Sequence, residues 1–402
     1  MKFSLALWIY RRIATYAGKV NCRILSSSSS KLILGIESTF DDTGAAVVDN
    51  EGNVLGEALA TQINEHVRAG GVDPRVAQKL HRKNLPMVVE DVMLKANVSY
   101  KELDAIATAT KPGLPYCLIE GLNYSKKLIK EFKLPFIPIH HMEAHLLTPR
   151  MASDVQFPFL TLLASGGHCI LCIAHTLGSY EILGNNIDEP PGAVLDKISR
   201  ALKILERHGD GRMSNASNLE ELALSGNKEC FELISPFYKS RKRSCNFSFC
   251  GLQTSTLRKV KTRDKLGVGD ADIAAWIQHC IMHHILTRVH RAIIFCHEEK
   301  FFKHAMPTLV VSGGVACNGY LRNALTYLCK HLEVNLVIPP LSMCTDNGTM
   351  IAWAGMEYLK IGAGISKNPM SERFQPKMPL GEHIGRQIEE RNIRLPKMNY
   401  FN

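Results

Sequence analysis

Two histidines spaced four residues apart are the first side chains in this sequence whose types and spacing point to chemistry. His141 and His145 follow an apolar, strand-like run that ends at Ile139. On a helix, residues four apart share a face, so both imidazole rings can reach one metal ion. Glu143 lies on another face of such a helix, and the order is not the His-Glu-x-x-His of zinc proteases. The pair is a candidate metal site, and two ordinary core or surface histidines are the alternative.

A carboxylate in a later loop could complete this site. Asp346 lies in a Cys-Thr-Asp-Asn-Gly run at 344–348, before an apolar helix predicted over 350–359. Two imidazoles and one carboxylate would leave coordination positions open for a substrate, as a catalytic metal site requires. The alternative is structural, because Thr345 or Asp346 could cap the helix that follows.

Two Ser-Gly-Gly turns, at 165–167 and 312–314, each follow an apolar strand. Glycine has no Cβ, so the backbone amides of such a turn can approach an anion or a carbonyl group closely. Glu37, Asp41 and Asp42 are grouped in the turn of the first predicted hairpin, which either faces phosphate and metal or is simply solvated. The recurrence of strand, small-residue turn and return strand hints at two related α/β halves.

The elements that must position these residues are strands alternating with helices, the longest clear helix being predicted over 271–296. This alternation implies an α/β fold with a largely parallel or mixed sheet covered on both faces. The 402 residues exceed what one hydrophobic core usually supports, so two globular domains are expected. The segment near 206–246 is polar and is interpreted as an insertion or mobile surface segment. The predicted divisions of the chain are 1–31, an α/β lobe with the histidine pair at 32–150, a second α/β lobe at 151–360, and a C-terminal tail at 361–402.

The formal charge of +10 is concentrated at the N-terminus. Residues 1–31 contain six Lys or Arg and no Asp or Glu, and they carry a serine run at 26–30. Basic, serine-rich, acid-free and amphipathic is the composition of a mitochondrial transit peptide, so mitochondrial import is predicted. A secretory signal is the alternative, but the arginines follow the short apolar run rather than precede it.

Basic residues also cluster at 239–243 and 258–263, with aromatic residues such as Phe247 and Phe249 interleaved. Such a patch could bind a phosphate backbone, or it could be a solvated face. The twelve cysteines are scattered, which indicates reduced thiols rather than a secreted disulfide framework. No run of about eighteen apolar residues predicts a membrane span. Within the two basic clusters, the residues that could contact a phosphate backbone are Lys239, Arg241, Lys242, Arg258 and Lys261.

Taken together, these pieces resemble the tRNA threonylcarbamoyladenosine transferases, specifically their stand-alone mitochondrial branch. The resemblance runs from about Leu32 to about Leu359, and any one motif is loose, whereas eight in order are specific. These eight are Leu34-Gly35-Ile36-Glu37-Ser38-Thr39-Phe40-Asp41-Asp42-Thr43, Gly70-Gly71-Val72, His141-Met142-Glu143-Ala144-His145, Ser165-Gly166-Gly167-His168, Asp196-Lys197, Phe247-Ser248-Phe249-Cys250-Gly251-Leu252, Gly313-Gly314-Val315 and Cys344-Thr345-Asp346-Asn347-Gly348.

The resemblance implies an actin-, Hsp70- and sugar-kinase-like (ASKHA) fold, with two α/β lobes around a central cleft. It also implies transfer of a threonylcarbamoyl group from threonylcarbamoyl-AMP to the exocyclic amine of the adenosine 3′-adjacent to the anticodon, in mitochondrial tRNAs that read ANN codons. One divalent cation per subunit (zinc, iron or magnesium) and a homodimer are further expectations.

The resemblance implies site residues as well. His141, His145 and Asp346 would hold the metal, and no side chain is assigned as the general base. The family usually has a Gly-Gly-Pro turn shortly before an Ile-Glu pair; here the turn is replaced by a run at 215–217 whose central Ala216 cannot easily adopt a positive φ. The residues implied to line the adenylate pocket are Ala164, Ser165, Gly166, Gly167, His168, Asp196, Glu220, Cys317, Asn318 and Thr345.

Two other functions fit parts of this pattern. A metalloprotease is suggested by the paired histidines and opposed by the position of Glu143. A non-catalytic nucleotide-binding or scaffold protein is favoured by the altered run at 215–217.

Overall fold

The structure is a computed structural model that describes residues 30–62, 65, 73–204, 215–237, 243–302 and 306–401. The chain separates into two units, Met1–Lys31 and Leu32–Asn402. Several features singled out above lie outside the described residues. They are nearly all of the N-terminal basic segment, the Gly-Gly-Val run at 70–72, and Lys239, Arg241 and Lys242.

The first sheet has five strands in the order β3-β2-β1-β4-β5. The first three form an antiparallel meander, which confirms the hairpin predicted at the start of the fold, while β1, β4 and β5 run parallel. Its strands are β1 (Leu32–Glu37), β2 (Asp42–Asp49), β3 (Val54–Thr61), β4 (Ala105–Lys111) and β5 (Phe136–His140).

The second sheet repeats this topology, with the order β10-β9-β6-β7-β8-β11. Strands β6, β7 and β8 form the antiparallel meander, and β6, β9 and β10 run parallel. The repetition confirms the two related halves that the recurring strand-and-turn pattern predicted. Its strands are β6 (Phe159–Ala164), β7 (Cys169–Thr176), β8 (Ser179–Asn185), β9 (Thr308–Ser312), β10 (Asn335–Val337) and β11 (Glu382–His383).

Helices connect and cover the sheets. The helix predicted over 271–296 is confirmed as the longest, and its apolar face supplies much of the core beside the second sheet. The helices are α1 (Pro74–Ala96), α2 (Pro115–Phe132), α3 (His141–Ala152), α4 (Pro191–Ala201), α5 (Asn215–Ala223), α6 (Cys250–Leu266), α7 (Asp270–Glu298), α8 (Gly319–His331), α9 (Gly348–Lys360) and α10 (Gly385–Arg391).

Two helices lie at the junction of the sheets. Helix α3 contacts β5 of the first sheet and β6 and β9 of the second. Helix α9 follows the second sheet in sequence but packs on β1, β2 and β4 of the first. A Cβ added at Gly35 would lie 2.3 Å from the amide nitrogen of Ala352, so the close approach of α9 to β1 requires glycine there. The histidine pair of α3 therefore lies where the two halves meet.

The segment near 206–246 is only partly as predicted. Residues 215–223 form α5, which packs against α4 and α7, so this part is not an irregular insertion. The runs 205–214 and 238–242 lie outside the described residues.

The C-terminal tail returns over both sheets. The amide of Gln375 donates to the carbonyl of Thr110 at the end of β4, and β11 pairs with β8 of the second sheet. Near the end of the chain, Tyr400 hydrogen-bonds His290 of α7 at 3.0 Å. Across the described part of the chain, no helix combines the length and apolarity that a bilayer crossing needs.

Candidate active site

The candidate site lies in loops that follow the carboxyl ends of parallel strands. Strand β1 ends at Glu37, β5 at His140, β6 at Ala164 and β9 at Ser312. In open α/β sheets, ligands bind in the crevice outside these strand ends. The repeated topology thus gives each half its own set of loops at the carboxyl ends of its parallel strands.

The structure brings the three predicted metal ligands together. His145 Nε2 lies 2.9 Å from Asp346 Oδ1, and His141 Nε2 lies 3.7 Å from the same oxygen. One ligand atom from each residue falls within 4.8 Å of the other two. Both histidines are buried on α3, as the four-residue spacing predicted.

A buried carboxylate orients the first histidine. Glu37 is fully buried, and its Oε2 accepts a hydrogen bond of 2.9 Å from His141 Nδ1. Its other oxygen accepts from the amide of Thr39 at 2.6 Å. Because Nδ1 is used in this way, Nε2 of His141 is the nitrogen directed at Asp346, which is the arrangement found behind metal-bound histidines. The sequence pattern did not identify Glu37 as this partner; its place as the last residue of a buried strand is the signal that could have.

The electrostatics of this cluster fit a cation. Burial opposes the protonated form of His141, but Glu37 and Asp346 outweigh it and raise the pKa of His141 to about 9. Burial likewise opposes ionisation of Asp346, yet His141 and His145 hold its pKa below the usual range. A site that attracts a proton this strongly offers the same negative potential to a metal ion. His145 Nδ1 is buried and has no hydrogen-bond partner among the described residues. Two imidazoles and a carboxylate thus fit a divalent metal.

Glu143 does not belong to this cluster. Its Oε1 accepts hydrogen bonds from Tyr180 at 2.6 Å and from Tyr358 at 2.7 Å, on the opposite side of α3. The prediction that Glu143 is misplaced to act as a protease base is confirmed. These two hydrogen bonds connect α3 to β8 and to α9.

The first Ser-Gly-Gly turn is held by hydrogen bonds and by packing against a helix, and it has open space beside Gly166. Ser165 Oγ accepts from the amides of Gly167 at 3.2 Å and His168 at 3.1 Å. A Cβ added at Gly192, in the first turn of α4, would lie 2.8 Å from the Cα of Gly166, so α4 packs directly against the turn. A Cβ added at Gly166 itself would meet no atom within 4 Å.

Phe40 bridges the metal cluster and this turn. Its ring makes edge contacts with His141 at 6.2 Å and with His168 at 6.4 Å between centroids. Burial and the neighbouring His141 lower the pKa of His168 to about 4, so His168 is neutral at pH 7. The ring of Phe40 therefore links the metal cluster of the first half to the Ser165 turn of the second.

Three other predicted pocket residues support the starts of helices. Glu220 accepts from the amide of Gly319 at 2.7 Å at the beginning of α8. Asn318 is the N-cap of α8: its Oδ1 accepts from the amide of Leu321 at 2.9 Å, and its Nδ2 donates to Gln278 at 3.0 Å.

Asp196 does the same for α5. Its carboxylate accepts from the amide of Ala216, while burial raises the pKa of Asp196 to about 6 against the attraction of Arg200. Ala216 is helical and does not have a positive φ, so the run at 215–217 begins a helix instead of forming a glycine turn.

The prediction that Thr345 or Asp346 caps the following helix is also wrong. Asn347 caps α9, with its Oδ1 accepting from the amide of Met350 at 2.7 Å, and its Nδ2 donates to the carbonyl of Thr345 at 2.8 Å. Because Asn347 supplies the cap, the carboxylate of Asp346 is available to the histidines.

Two of the five basic residues named for the patch lie within the described part of the chain. Arg258 and Lys261 are exposed on α6 and lie on the described part of the patch. Phe247 and Phe249 are fully buried and stacked on one another, so these two aromatic residues do not belong to the surface of the basic patch. Their alternating positions place them in the core beside His284.

The fold and the cluster define a class: an α/β protein whose two sheets share one topology, with a His-His-Asp cluster where the two sheets meet. The crystal structure of T. kodakarensis HypF shares the fold with a TM-score of 0.54 at 15% identity, covering 83% of this chain and 48% of that one. The fold is thus the two-lobed actin-, Hsp70- and sugar-kinase-like fold that was expected.

The sequence profile described as TsaD, tRNA N6-adenosine threonylcarbamoyltransferase, matches residues 53–353. A mouse relative named tRNA N6-adenosine threonylcarbamoyltransferase, mitochondrial, is 42% identical over 396 residues, covering 96% of this chain and 94% of its own. The human protein of the same name is 43% identical, covering 92% and 90%. The chain belongs to the TsaD family of tRNA N6-adenosine threonylcarbamoyltransferases, and it is a mitochondrial member.

Proposed function

We propose that the cleft transfers a threonylcarbamoyl group from threonylcarbamoyl-AMP to the exocyclic amine of the adenosine 3′-adjacent to the anticodon, in mitochondrial tRNAs that read ANN codons. The observation that carries this proposal is that His141, His145 and Asp346 come together in one cluster. The side chain of Phe40 connects this cluster to the turn at Ser165. Metal ligands on one wall and an approachable backbone on the other suit a substrate with a reactive carbonyl beside a phosphate.

His141, His145 and Asp346 would hold one divalent cation per subunit. Nitrogen donors suit zinc or iron better than magnesium, which prefers oxygen ligands. When bound, the cation would supply a Lewis acid for the reacting carbonyl. Glu37 keeps His141 in the tautomer whose Nε2 faces the site, and the buried charge of Asp346 is balanced by the two imidazoles.

The second wall would bind the adenylate largely through its backbone. Gly166 can receive a ligand at van der Waals distance because no protein atom occupies the space in front of it. Glu220 and Asn318 would act mainly by fixing the start of α8, because each accepts a hydrogen bond from one of its first amides. AMP is the leaving group, so protonation of a poor leaving group is not required.

The acceptor tRNA would bind across the basic patch. Arg258 and Lys261 are exposed on α6, and Arg258 lines an open groove together with Lys259 and Thr262. Replacing Arg258 and Lys261 together by alanine should weaken tRNA binding and lower the slope of affinity against salt by about one per lost phosphate contact. The matched control is the double replacement of Lys101 and Lys330, which are exposed on other elements. An unchanged salt slope would make the patch a solvated face.

One assay tests the reaction itself. Purified protein, threonylcarbamoyl-AMP and an ANN-reading tRNA are incubated together, and the nucleosides are then analysed. We expect the modified adenosine with the wild type and none with Asp346→Asn. Adenylate binding without turnover by the wild type would favour a scaffold protein. Metal-dependent cleavage of a generic peptide would favour a protease.

Three further features are proposed on narrower grounds. Residues 1–31 would be a cleaved transit peptide, supported by their composition, and a fluorescent protein fused to residues 1–35 should enter mitochondria. A homodimer is supported by the resemblance alone and is testable by light scattering. The ranges 32–150 and 151–360 would act as two lobes, with α9 returning to the first.

A further inference from the structure

Two cysteine thiols meet where the chain passes from the second sheet back to the first. Cys317 ends the short helical turn Gly314–Cys317 after β9, and Cys344 follows the turn Leu341–Met343 before α9. The two thiols are neighbours, and each influences the protonation of the other. Both also point at the same stretch of backbone: Cys317 Sγ lies 3.8 Å from the carbonyl oxygen of Leu341, and Cys344 Sγ lies 3.7 Å from that of Pro340. The thiols therefore form a pair.

The members of the pair differ in access. Cys317 is half-buried and open to small solutes, whereas Cys344 is fully buried. The neighbouring Cys344 thiol outweighs burial and, assisted by Arg322, lowers the pKa of Cys317 to about 7. An ordinary free cysteine has a pKa of about 8.5, so the reactive thiolate is more abundant on Cys317 near neutral pH. An accessible thiolate beside a buried thiol is the arrangement of a nucleophilic and a resolving cysteine.

We propose that Cys317 and Cys344 are an oxidation site, which a peroxide converts into a disulfide. The Cys317 thiolate attacks one peroxide oxygen and releases hydroxide, so that its sulfur becomes a sulfenic acid while the peroxide is reduced. The Cys344 sulfur then attacks the Cys317 sulfur and displaces hydroxide. The proton of Cys344 joins this second hydroxide, and a solvent proton joins the first. One peroxide thus oxidises two cysteines and leaves two waters.

The two cysteines are free to approach because both lie in short turns rather than in regular strands or helices. The sulfur atoms must come to about 2.05 Å in a disulfide. This movement would draw the loop that carries Thr345 and Asp346 toward the turn that precedes Asn318. Oxidation would then disturb both walls of the cleft at once. This consequence for activity rests on the proposed function, whereas disulfide formation does not.

The test begins with the chemistry, independently of activity. The full chain is reduced, exposed to hydrogen peroxide, blocked with an alkylating agent and digested without reductant. Mass spectrometry should find a peptide linked through Cys317 and Cys344, and reductant should abolish it. In Cys344→Ser the sulfenic acid on Cys317 should persist and be trapped by dimedone. In Cys317→Ser both signals should disappear.

Cys250 provides the matched control because it is also a half-buried thiol, at the start of α6. Cys250→Ser should form the 317–344 disulfide as the wild type does. Sulfenic acid on Cys250 with none on Cys317, or cross-links that do not include Cys317, would overturn the proposal. Thermal unfolding of each reduced variant shows whether it is folded, so loss of signal by misfolding is recognised.

Activity is then compared for each protein with its own reduced form. Peroxide should lower tRNA modification by the wild type, and reductant should restore it. Cys317→Ser should lose this reversible response. A disulfide that forms without any change in modification would leave the oxidation site standing and refute its effect on the cleft. Absence of modification even in reduced wild type would instead contradict the proposed function.

Discussion

The two walls of the cleft use the same strand topology in different ways. On the first wall, Glu37 is the last residue of β1 and His141 follows the end of β5. Their side chains meet those of His145 and Asp346 in the metal cluster. On the second wall, the predicted side chains mostly turn back to the protein. Glu220 and Asn318, for example, hydrogen-bond to the first amides of α8.

The difference shows that two halves with the same strand topology can serve different chemical roles. The first wall concentrates buried charge, which is what a metal ion needs and what would be destabilising without one. The second wall offers space in front of Gly166 and keeps its polar side chains for holding the backbone in place. Side-chain replacements should therefore act mostly on the first wall, and the addition of single methyl groups mostly on the second.

The largest effect is expected at the metal cluster. His141→Ala or Asp346→Ala should abolish stoichiometric metal binding and lower tRNA modification by roughly 100-fold or more, since losing even an outer partner of a metal ligand commonly costs about 10- to 100-fold. Metal content by mass spectrometry and nucleoside analysis measure the two losses. His175→Ala, which breaks the histidine–carboxylate pair with Glu181 on the second sheet, is the control and should keep both properties. Full metal content in Asp346→Ala would remove Asp346 from the ligand set.

The next largest effect is expected at the two glycine turns. Gly166→Ala and Gly314→Ala place a methyl group where the protein has no atom within 4 Å, so the fold should tolerate both. If the adenylate approaches this backbone, the methyl groups should reduce its use by roughly 10- to 100-fold, because small misplacements of a reacting group have effects of this size. Gly251→Ala is equally open but lies on α6, outside both turns, and should have no such effect on adenylate use. Normal kinetics in all three variants would mean that the ligand does not touch the turns.

The sequence predicts those features of the two walls that depend on local spacing, but not those that depend on contacts between distant parts of the chain. His141 and His145 were predictable because helical spacing places them on one face whatever the surrounding fold. Asp346 could be suggested but not separated from a helix cap, since only the structure shows that Asn347 takes that position. The burial of Phe247 against its neighbours depends on long-range packing, which no local pattern contains.

A smaller, pH-dependent effect is expected at Asp196 on the second wall. Burial raises its pKa in the folded protein to about 6, whereas the unfolded value is near 3.8. The folded state thus holds the extra proton between these values, so the contribution of Asp196 to the free energy of unfolding should fall as pH rises from about 4 to about 6. Asp196→Asn removes this contribution, so the stability of the variant relative to wild type should increase over that range by up to about 2 kcal/mol. Urea unfolding at several pH values measures it, with exposed Asp264→Asn expected to differ from wild type by less than about 0.5 kcal/mol throughout.

The smallest effect uses two asparagines that do the same structural work on opposite walls. Asn318 caps α8 and Asn347 caps α9, so replacing either by alanine should lower the free energy of unfolding by about 1 kcal/mol. Their functional effects should differ. Asn318→Ala should weaken adenylate use while metal content and tRNA affinity stay unchanged, whereas Asn347→Ala should loosen the loop of Asp346 and weaken metal binding. Equal stability losses with these separate defects would confirm the division between the walls. If both variants lost metal alone, or both lost adenylate use alone, the two walls would not be functionally distinct, because equivalent caps would then report on a single shared site.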